Sequence, residues 1–372
     1  MTMSAKADTS SAPPLPSSPV PTLSMKNRLF ILLQHPLSRP ILALLVLCII
    51  DLLLIPGFFH LRLQEGHLYG SVIDILNRAA PLMLTAVGMT LVIATRGIDI
   101  SVGAVVALSG TVAAMLIGGT LSMKNGIPEY VSNTPMVWAL CAALGAALLC
   151  GVWNGALVAL LGLQPIVATL ILMVAGRGLA QLLTDGQIVT VYYQPYFFIG
   201  SGYLFGLPFS LTIVAVVFLL TALIMRKTAL GLFIQAIGIN PVAARLAGIR
   251  TAALIFFVYL FCSLCAGVAG LMISANIKSA DANNAGLLLE LDAILAVTLG
   301  GTSLNGGKFS LIGSVIGALI IQTLTYTIYA MGVPPEVNMV VKSIVVFVVC
   351  LSQSAEFKGI WQRVVARVKR PS

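Results

Sequence analysis

Long stretches with almost no charge recur from one end of the chain to the other. Ile41–Ile55, Leu211–Met225 and Leu311–Leu324 are three of them. With its flanks, each approaches the roughly 20 apolar residues that carry an α-helix across a bilayer. Charged residues make up only 9% of the 372 positions, and the mean hydropathy is +1.03. A water-soluble domain carries about 25% charge, so the polar surface needed to cover such a domain is missing. Membrane β-barrels show short alternating segments instead. The sequence therefore predicts an all-α integral membrane protein with about ten transmembrane helices, some of them broken.

Polar breaks place the ten segments near 40–59, 72–95, 101–119, 136–161, 165–184, 207–225, 251–275, 287–301, 309–331 and 338–354. Those at 72–95 and 287–301 are open to interruption. An even number of crossings puts both termini on one side. On that side fall Lys6, Lys26, Arg28, Arg39, Arg96, Arg226, Lys227, Arg245, Arg250, Lys308, Lys358, Arg363, Arg367, Lys369 and Arg370, while the other side holds chiefly Arg62, Lys124 and Lys278. Positive charge marks cytoplasmic segments, so both termini are expected in the cytoplasm. The net charge of +9 is thus read as topology and not as a nucleic-acid footprint.

Three regions follow. Residues 1–38 are a disordered cytoplasmic tail, since TSSAPPLPSSPVPTLS (9–24) is too rich in Ser and Pro to fold and has no signal-peptide core. Residues 39–354 form a transmembrane domain with a cytoplasmic loop at 226–250, and 355–372 form a basic cytoplasmic tail.

The stretch GGTSLNGGKF (300–309) has the look of a phosphate loop. That loop needs Gly, four residues, then Gly-Lys and Ser or Thr; here Thr302 and Phe309 stand at the two ends, and both fail. Cys262-Ser-Leu-Cys265 has redox spacing but lies mid-helix, which favours simple packing. The isolated His35, His60 and His67 have no metal-ligand spacing. Tyr192, Tyr193, Tyr196 and Trp361 read as membrane-interface anchors.

Two places share one pattern. In Thr90–Gly103 (TLVIATRGIDISVG) and in Val297–Gly313 (VTLGGTSLNGGKFSLIG), a helix ends, a polar glycine-containing loop follows, and a helix restarts. The two halves thus read as a weak repeat with interrupted helices, a construction common in transporters. In the loop 226–250, Asn240-Pro241 is a plausible helix start and Gly248 a plausible stop. A short surface helix is therefore expected over about 241–247.

AIGINPVAARLAGI, ATRGIDISVGA and ELDAILAVTLGGTSLNGGK, in that company, resemble the permease subunits of sugar-importing ATP-binding cassette (ABC) transporters of the ribose and galactose type. The resemblance covers roughly 40–354. GSVIDILNRAAP, ATLILMVAGRGLAQLLTDGQIVT and ADANNAGLLLELDAILAV look closest to permeases of galactofuranose importers. Arg96 departs from the family, which usually has Gly there.

The resemblance implies a monosaccharide permease of a bacterial inner membrane, carrying galactofuranose or else another hexose or pentose. It implies no catalysis, metal or cofactor on this chain, with ATP and Mg on a separate cytoplasmic ABC ATPase. Other implied partners are a second permease subunit, the same chain or a related one, a periplasmic sugar-binding protein and the lipid bilayer. Asn240, Pro241, Ala243, Ala244, Arg245 and Gly248 would form the loop that couples to the ATPase, with Arg245 its exposed polar contact and the two alanines permitting close approach. Gly97, Asp99, Ser101 and Gly103, with Gly300, Gly301, Gly306 and Gly307, would be gate and loop elements, Asp99 and Ser101 capping the next helix.

Sugar hydroxyls need polar partners, and each unpaired polar group in lipid costs several kcal/mol. Candidates along the path are Asn77, Asn154, Gln164, Asn283, Asn284, Glu290 and Asp292, with Gln181, Asp281, Gln322 and Asn338 beside them. Glu290 and Asp292 lie about 200° apart on a helix, so they form no acid–base pair. Arg177 and Lys342 need an acidic partner, a water path or an interfacial position. The alternative reading is a proton-coupled secondary sugar transporter using Asp51 or the Glu290 and Asp292 carboxylates.

Overall fold

The structure is a computed structural model that describes residues 37–334, except 65, 125 and 126, and seven further positions between 337 and 347. Both expected tails, apart from Leu37 and Ser38, lie outside the described residues, as do most of the expected crossing 338–354, Asn338, Lys342, Cys350, Trp361 and His35.

The helices are α1 Ser38–Leu54, α2 Ser71–Ala94, α3 Val102–Ile117, α4 Met136–Gly155 continued by a π-turn Ala156–Leu160, α5 Pro165–Leu183, α6 Gln194–Ser201, α7 Phe209–Lys227, α8 Leu230–Ile239, α9 Pro241–Leu246, α10 Thr251–Ile277, α11 Leu289–Leu299 and α12 Leu311–Ala330. Six have the length and apolarity to cross a membrane: α2, α4 with its π-turn, α5, α7, α10 and α12. Short antiparallel ribbons decorate one end of the bundle: β1 Arg62–Gln64 with β2 His67–Tyr69, β3 Thr120–Lys124 with β4 Ile127–Val131, β5 Val189–Thr190 with β8 Ser279–Ala280, and β6 Tyr203–Leu204 with β7 Leu207–Pro208.

The centre of the bundle is α2, α3 and α10. From Ala79 to Ala94, α2 is buried at nearly every position, and α10 packs against α2, α3 and α4. Lipid tails offer helices no hydrophobic reason to associate, so close van der Waals approach must hold them. Gly151 of α4 sits where a Cβ would lie 2.9 Å from the Leu260 Cα of α10, and Gly317 of α12 where one would lie 2.0 Å from the Ala296 carbonyl of α11. Hydroxyls add cross-helix bonds: Thr90 of α2 donates to Ser314 of α12 (2.7 Å), and Ser109 of α3 to the Gly267 carbonyl of α10 (3.1 Å).

Three expectations are corrected here. The segment 72–95 is one continuous helix despite Pro81. The Thr85 hydroxyl, one turn on, donates to the Pro81 and Leu82 carbonyls there. The segment 287–301 is not a crossing: eleven residues at about 1.5 Å rise make about 16 Å, half the roughly 30 Å apolar layer. Tyr196 is no interface anchor. It is fully buried, with its hydroxyl hydrogen-bonded to Ser274 and to the Leu271 carbonyl of α10. The loop 226–250 also holds a helix that the sequence reading lacked, α8, ahead of the expected short one.

Candidate functional site: two half-crossings and a helix at the bundle end

Two crossings are built half from irregular, turn-rich chain and half from helix. The first is residues 95–117. After α2 ends, the backbone turns back into the protein: Gly97 packs against the Tyr259 hydroxyl, and Asp99 and Ser101 are completely buried. Tyr259 is eight residues into α10, about 12 Å from its start. Only at that depth does α3 begin. The second is residues 278–299. Lys278 and Leu288, at φ 60° and 61°, bound an irregular stretch, and α11 then finishes the crossing.

The two half-helix starts meet inside the bundle. A Cβ on Gly103, in the first turn of α3, would lie 2.3 Å from both the Glu290 carboxylate and the Gly286 carbonyl. Glycine is required there because the second stretch runs directly over the α3 backbone. Glu290 is buried in the first turn of α11 and close to the amino end of α3, where unpaired N–H groups favour negative charge.

Irregular backbone inside a membrane must be paired from elsewhere. Arg177 of α5 does this, its Nη1 donating to the carbonyls of Ala282 (3.3 Å), Asn283 (3.0 Å) and Ala285 (3.0 Å). Asp281 accepts from the Asn283 and Asn284 backbone N–H groups (2.9 and 3.2 Å) and from the Asn284 amide (2.7 Å), while Gln181 donates to Asn283 (2.8 Å). A cavity of about 290 Å³ lies beside this stretch, walled by Val106, Gly110, Ser274, Asp281, Asn284 and Gly286. A second, of about 210 Å³, is lined by Asn77, Arg78, Ser210, Asn276 and Gln322. Within it the Ser210 hydroxyl donates to Asn77, and Asn276 donates to the Gly200 carbonyl (3.0 Å). The side-chain amide of Gln322 makes no hydrogen bond to other described residues, so its donors and acceptor are left to the cavity it lines.

At the other end of the bundle sits α9. Asn240 caps it, accepting from the Val242 and Ala243 N–H groups at 3.0 and 3.1 Å, and Pro241 takes the first helical position. Gly248 closes it at φ 85°, with Gly248 N–H bonded to the Arg245 carbonyl and Ile249 N–H to that of Ala244. This is the paired closure that a left-handed residue makes possible.

The chain matches, over residues 71–350, the family described as "Branched-chain amino acid transport system / permease component". The protein belongs to that permease family. The permease is 50% identical to the galactofuranose transporter permease protein YtfT of Escherichia coli K12 over 357 residues, 95% of this chain and 99% of the relative. It is 38% identical to the fructose import permease protein FruF of Bifidobacterium longum over 335 residues (88% and 90%). It is 37% identical to the ribose import permease protein RbsC of E. coli K12 over 318 residues (84% and 92%). No solved structure matches it. The permease is a multi-pass membrane protein of the sugar-importing ABC type, a transport subunit and not an enzyme.

Several sequence-derived placements change. The loop Gly97–Gly103 turns inward, and neither Asp99 nor Ser101 gives α3 a side-chain cap: the Ser101 hydroxyl and N–H both donate to Asp99 (2.6 and 3.0 Å), and Asn154 of α4 donates to Ser101 (2.8 Å) and Asp99 (3.3 Å). This buried knot draws Asn154 away from either cavity. Gln164 precedes α5, exposed. Asp292 lies two residues beyond Glu290 and, unlike it, is only half-buried. Ala244 turns inward and is 5% exposed, whereas Ala243 and Arg245 face out. Arg177 finds carbonyls in place of a direct ion pair.

Gly300 abuts Gly313, holding α11 and α12 together across their loop, and Gly301 leaves α11 at φ 87°. Gly306 and Gly307 reach the end of α2, where Gly307 N–H donates to the Ala94 carbonyl (3.0 Å). Residues missed by the sequence reading are Val242 and Leu246, 67% and 84% exposed, and Asn276. The i, i+4 spacing of the first two on the short expected helix was the available signal.

Proposed function

We propose that the permease carries galactofuranose across a bacterial inner membrane, with both termini in the cytoplasm, as part of an assembly driven by a separate ATPase. The near full-length 50% identity to a galactofuranose permease carries the choice of sugar; another hexose or pentose is the fallback. In this reading a sugar-binding protein delivers the solute, a second permease subunit completes the path, and ATP and Mg reside on the ATPase, none on this chain.

The helix α9 is the seat of that ATPase. Its exposed Val242 and Leu246 form an apolar stripe of the kind that fits a groove, and Arg245 stands beside it, lightly held by the Thr251 hydroxyl at 3.4 Å. Sugar passes the amides of Asn77, Asn276 and Gln322 and the Asp281–Asn284 turn. These contacts are few, as suits a conduit whose recognition is set by a binding protein. The junction of the half-helices at Gly103, Gly286 and Glu290 serves as the constriction.

The test is uptake of labelled galactofuranose by cells whose own sugar importers are deleted, supplied with this permease, its ATPase and its binding protein. Uptake of galactofuranose that fructose and ribose fail to compete is expected. Uptake of ribose or fructose with none of galactofuranose overturns the sugar assignment.

A further inference from the structure

Arg96 closes α2 in the left-handed region, at φ 66°, where a side chain is strained. Its guanidinium nevertheless reaches 142 residues along the chain: Nε donates to the Gly238 carbonyl at 2.6 Å and Nη2 to that of Ile239 at 2.5 Å. Those are the last carbonyls of α8, groups without a partner inside their own helix and at its negative end. The next residue is Asn240, at once the end of α8 and the cap of α9.

The same spot joins a third element. A Cβ on Gly238 would lie 1.9 Å from the Ala94 carbonyl and 2.2 Å from Gly307 N, and one on Gly306 would lie 2.5 Å from the Arg96 Cγ. The end of α2, the end of α8 and the α11–α12 loop are therefore in backbone contact, with the Arg96 stem between the last two. From the end of α2 the chain runs directly into the buried stretch that starts α3.

We propose that Arg96 is a positioning residue that transmits displacement of α9 to both half-crossings at once, through the α2–α3 stretch on one side and the α11–α12 loop on the other. This rests on α9 being the ATPase seat. A pull on α9 reaches Gly238 and Ile239 through Asn240, and the two charge-assisted bonds carry it to the chain that leads to Asp99 and Gly103. Without the arginine the junction keeps its packing but loses its directional link.

The experiment uses the permease reconstituted with its ATPase and binding protein. Arg96→Gly removes the link and relieves the left-handed backbone, so a defect cannot come from backbone strain. The ATP hydrolysed per sugar transported is expected to rise about 2- to 30-fold, the range of a lost coupling contact, while the ATPase still co-purifies. Arg96→Lys, which keeps the cation and a donor, should fall between. An unchanged ratio in Arg96→Gly overturns the proposal, and so does loss of the ATPase, which would make Arg96 a docking residue. Leu246→Glu, made in parallel, reports on the seat alone. Retained ATPase in that variant sinks the reading of α9 and the proposal with it, whereas lost ATPase there with an unchanged ratio in Arg96→Gly sinks the proposal only.

Discussion

Adding one methyl group at Gly238 is the sharpest perturbation of the junction. The new Cβ would stand 1.9 Å from the Ala94 carbonyl oxygen and 2.8 Å from the Gly307 Cα, all backbone, so no side chain can swing away. An ordinary contact near 3.4 Å requires the end of α8 to retreat by about 1.5 Å. The same retreat stretches the 2.6 Å bond from Arg96 to the Gly238 carbonyl toward about 4 Å, past hydrogen-bonding range. Alanine gains about 0.5–1 kcal/mol as a helix former, and overpacking costs about 1–3 kcal/mol. The lost charge-assisted bond adds about 1.5–3 kcal/mol. The balance is destabilising by roughly 2–5 kcal/mol.

Gly248→Ala is the control. It has open space around its Cβ and suffers only left-handed strain, about 1–2 kcal/mol. Thermal unfolding of both purified variants, with the ATP-to-sugar ratio of the assembly, should rank Gly238→Ala well below Gly248→Ala in stability. Equal stabilities, or the reverse order, would refute the backbone contact from which the junction is built.

Three further outcomes follow from the same geometry. Arg177→Met removes the donor to three carbonyls, two part-buried and one exposed, at a cost on the order of 1–3 kcal/mol, so a melting temperature equal to the parent's would contradict its role as the staple of the 278–288 stretch. Asp51→Asn should leave uptake within about twofold, since Asp51 is placed to accept from Thr327 on α12 and an amide oxygen can do the same; a large loss, with uptake that collapses under a protonophore, would support proton coupling instead. Gln322→Leu should slow galactofuranose uptake while sugar affinity of the binding protein is unchanged, and normal uptake would remove Gln322 from the path.

The continuous helices were legible because length and apolarity are local properties. Pro165 opens α5 at its first turn and Gly248 stops α9, as their backbone preferences dictate. The broken crossing at 278–299 was legible only as a segment open to interruption, not in where it breaks. Leu289–Leu299 reads as the core of an ordinary membrane helix, and what pairs the irregular chain before it is Arg177, more than a hundred residues away. The fold-back of 95–101 was hidden for a similar reason: its polar side chains look solvated until Asn154 is known to meet them. The α9 helix was found through its cap and stop, but which alanine faces inward depends on packing that no short window encodes. Arg96 was noticed as a departure from the family, yet nothing near it in sequence names Gly238 and Ile239 as its partners.

A conduit powered by a separate ATPase moves solute against a gradient only when that ATPase is present and supplied with ATP. The permease should therefore be placed in vesicles with and without ATPase, binding protein and ATP, and labelled galactofuranose followed over time. Accumulation against a gradient is predicted only when all three are supplied. Accumulation by the permease alone, driven by an imposed proton gradient, would contradict it.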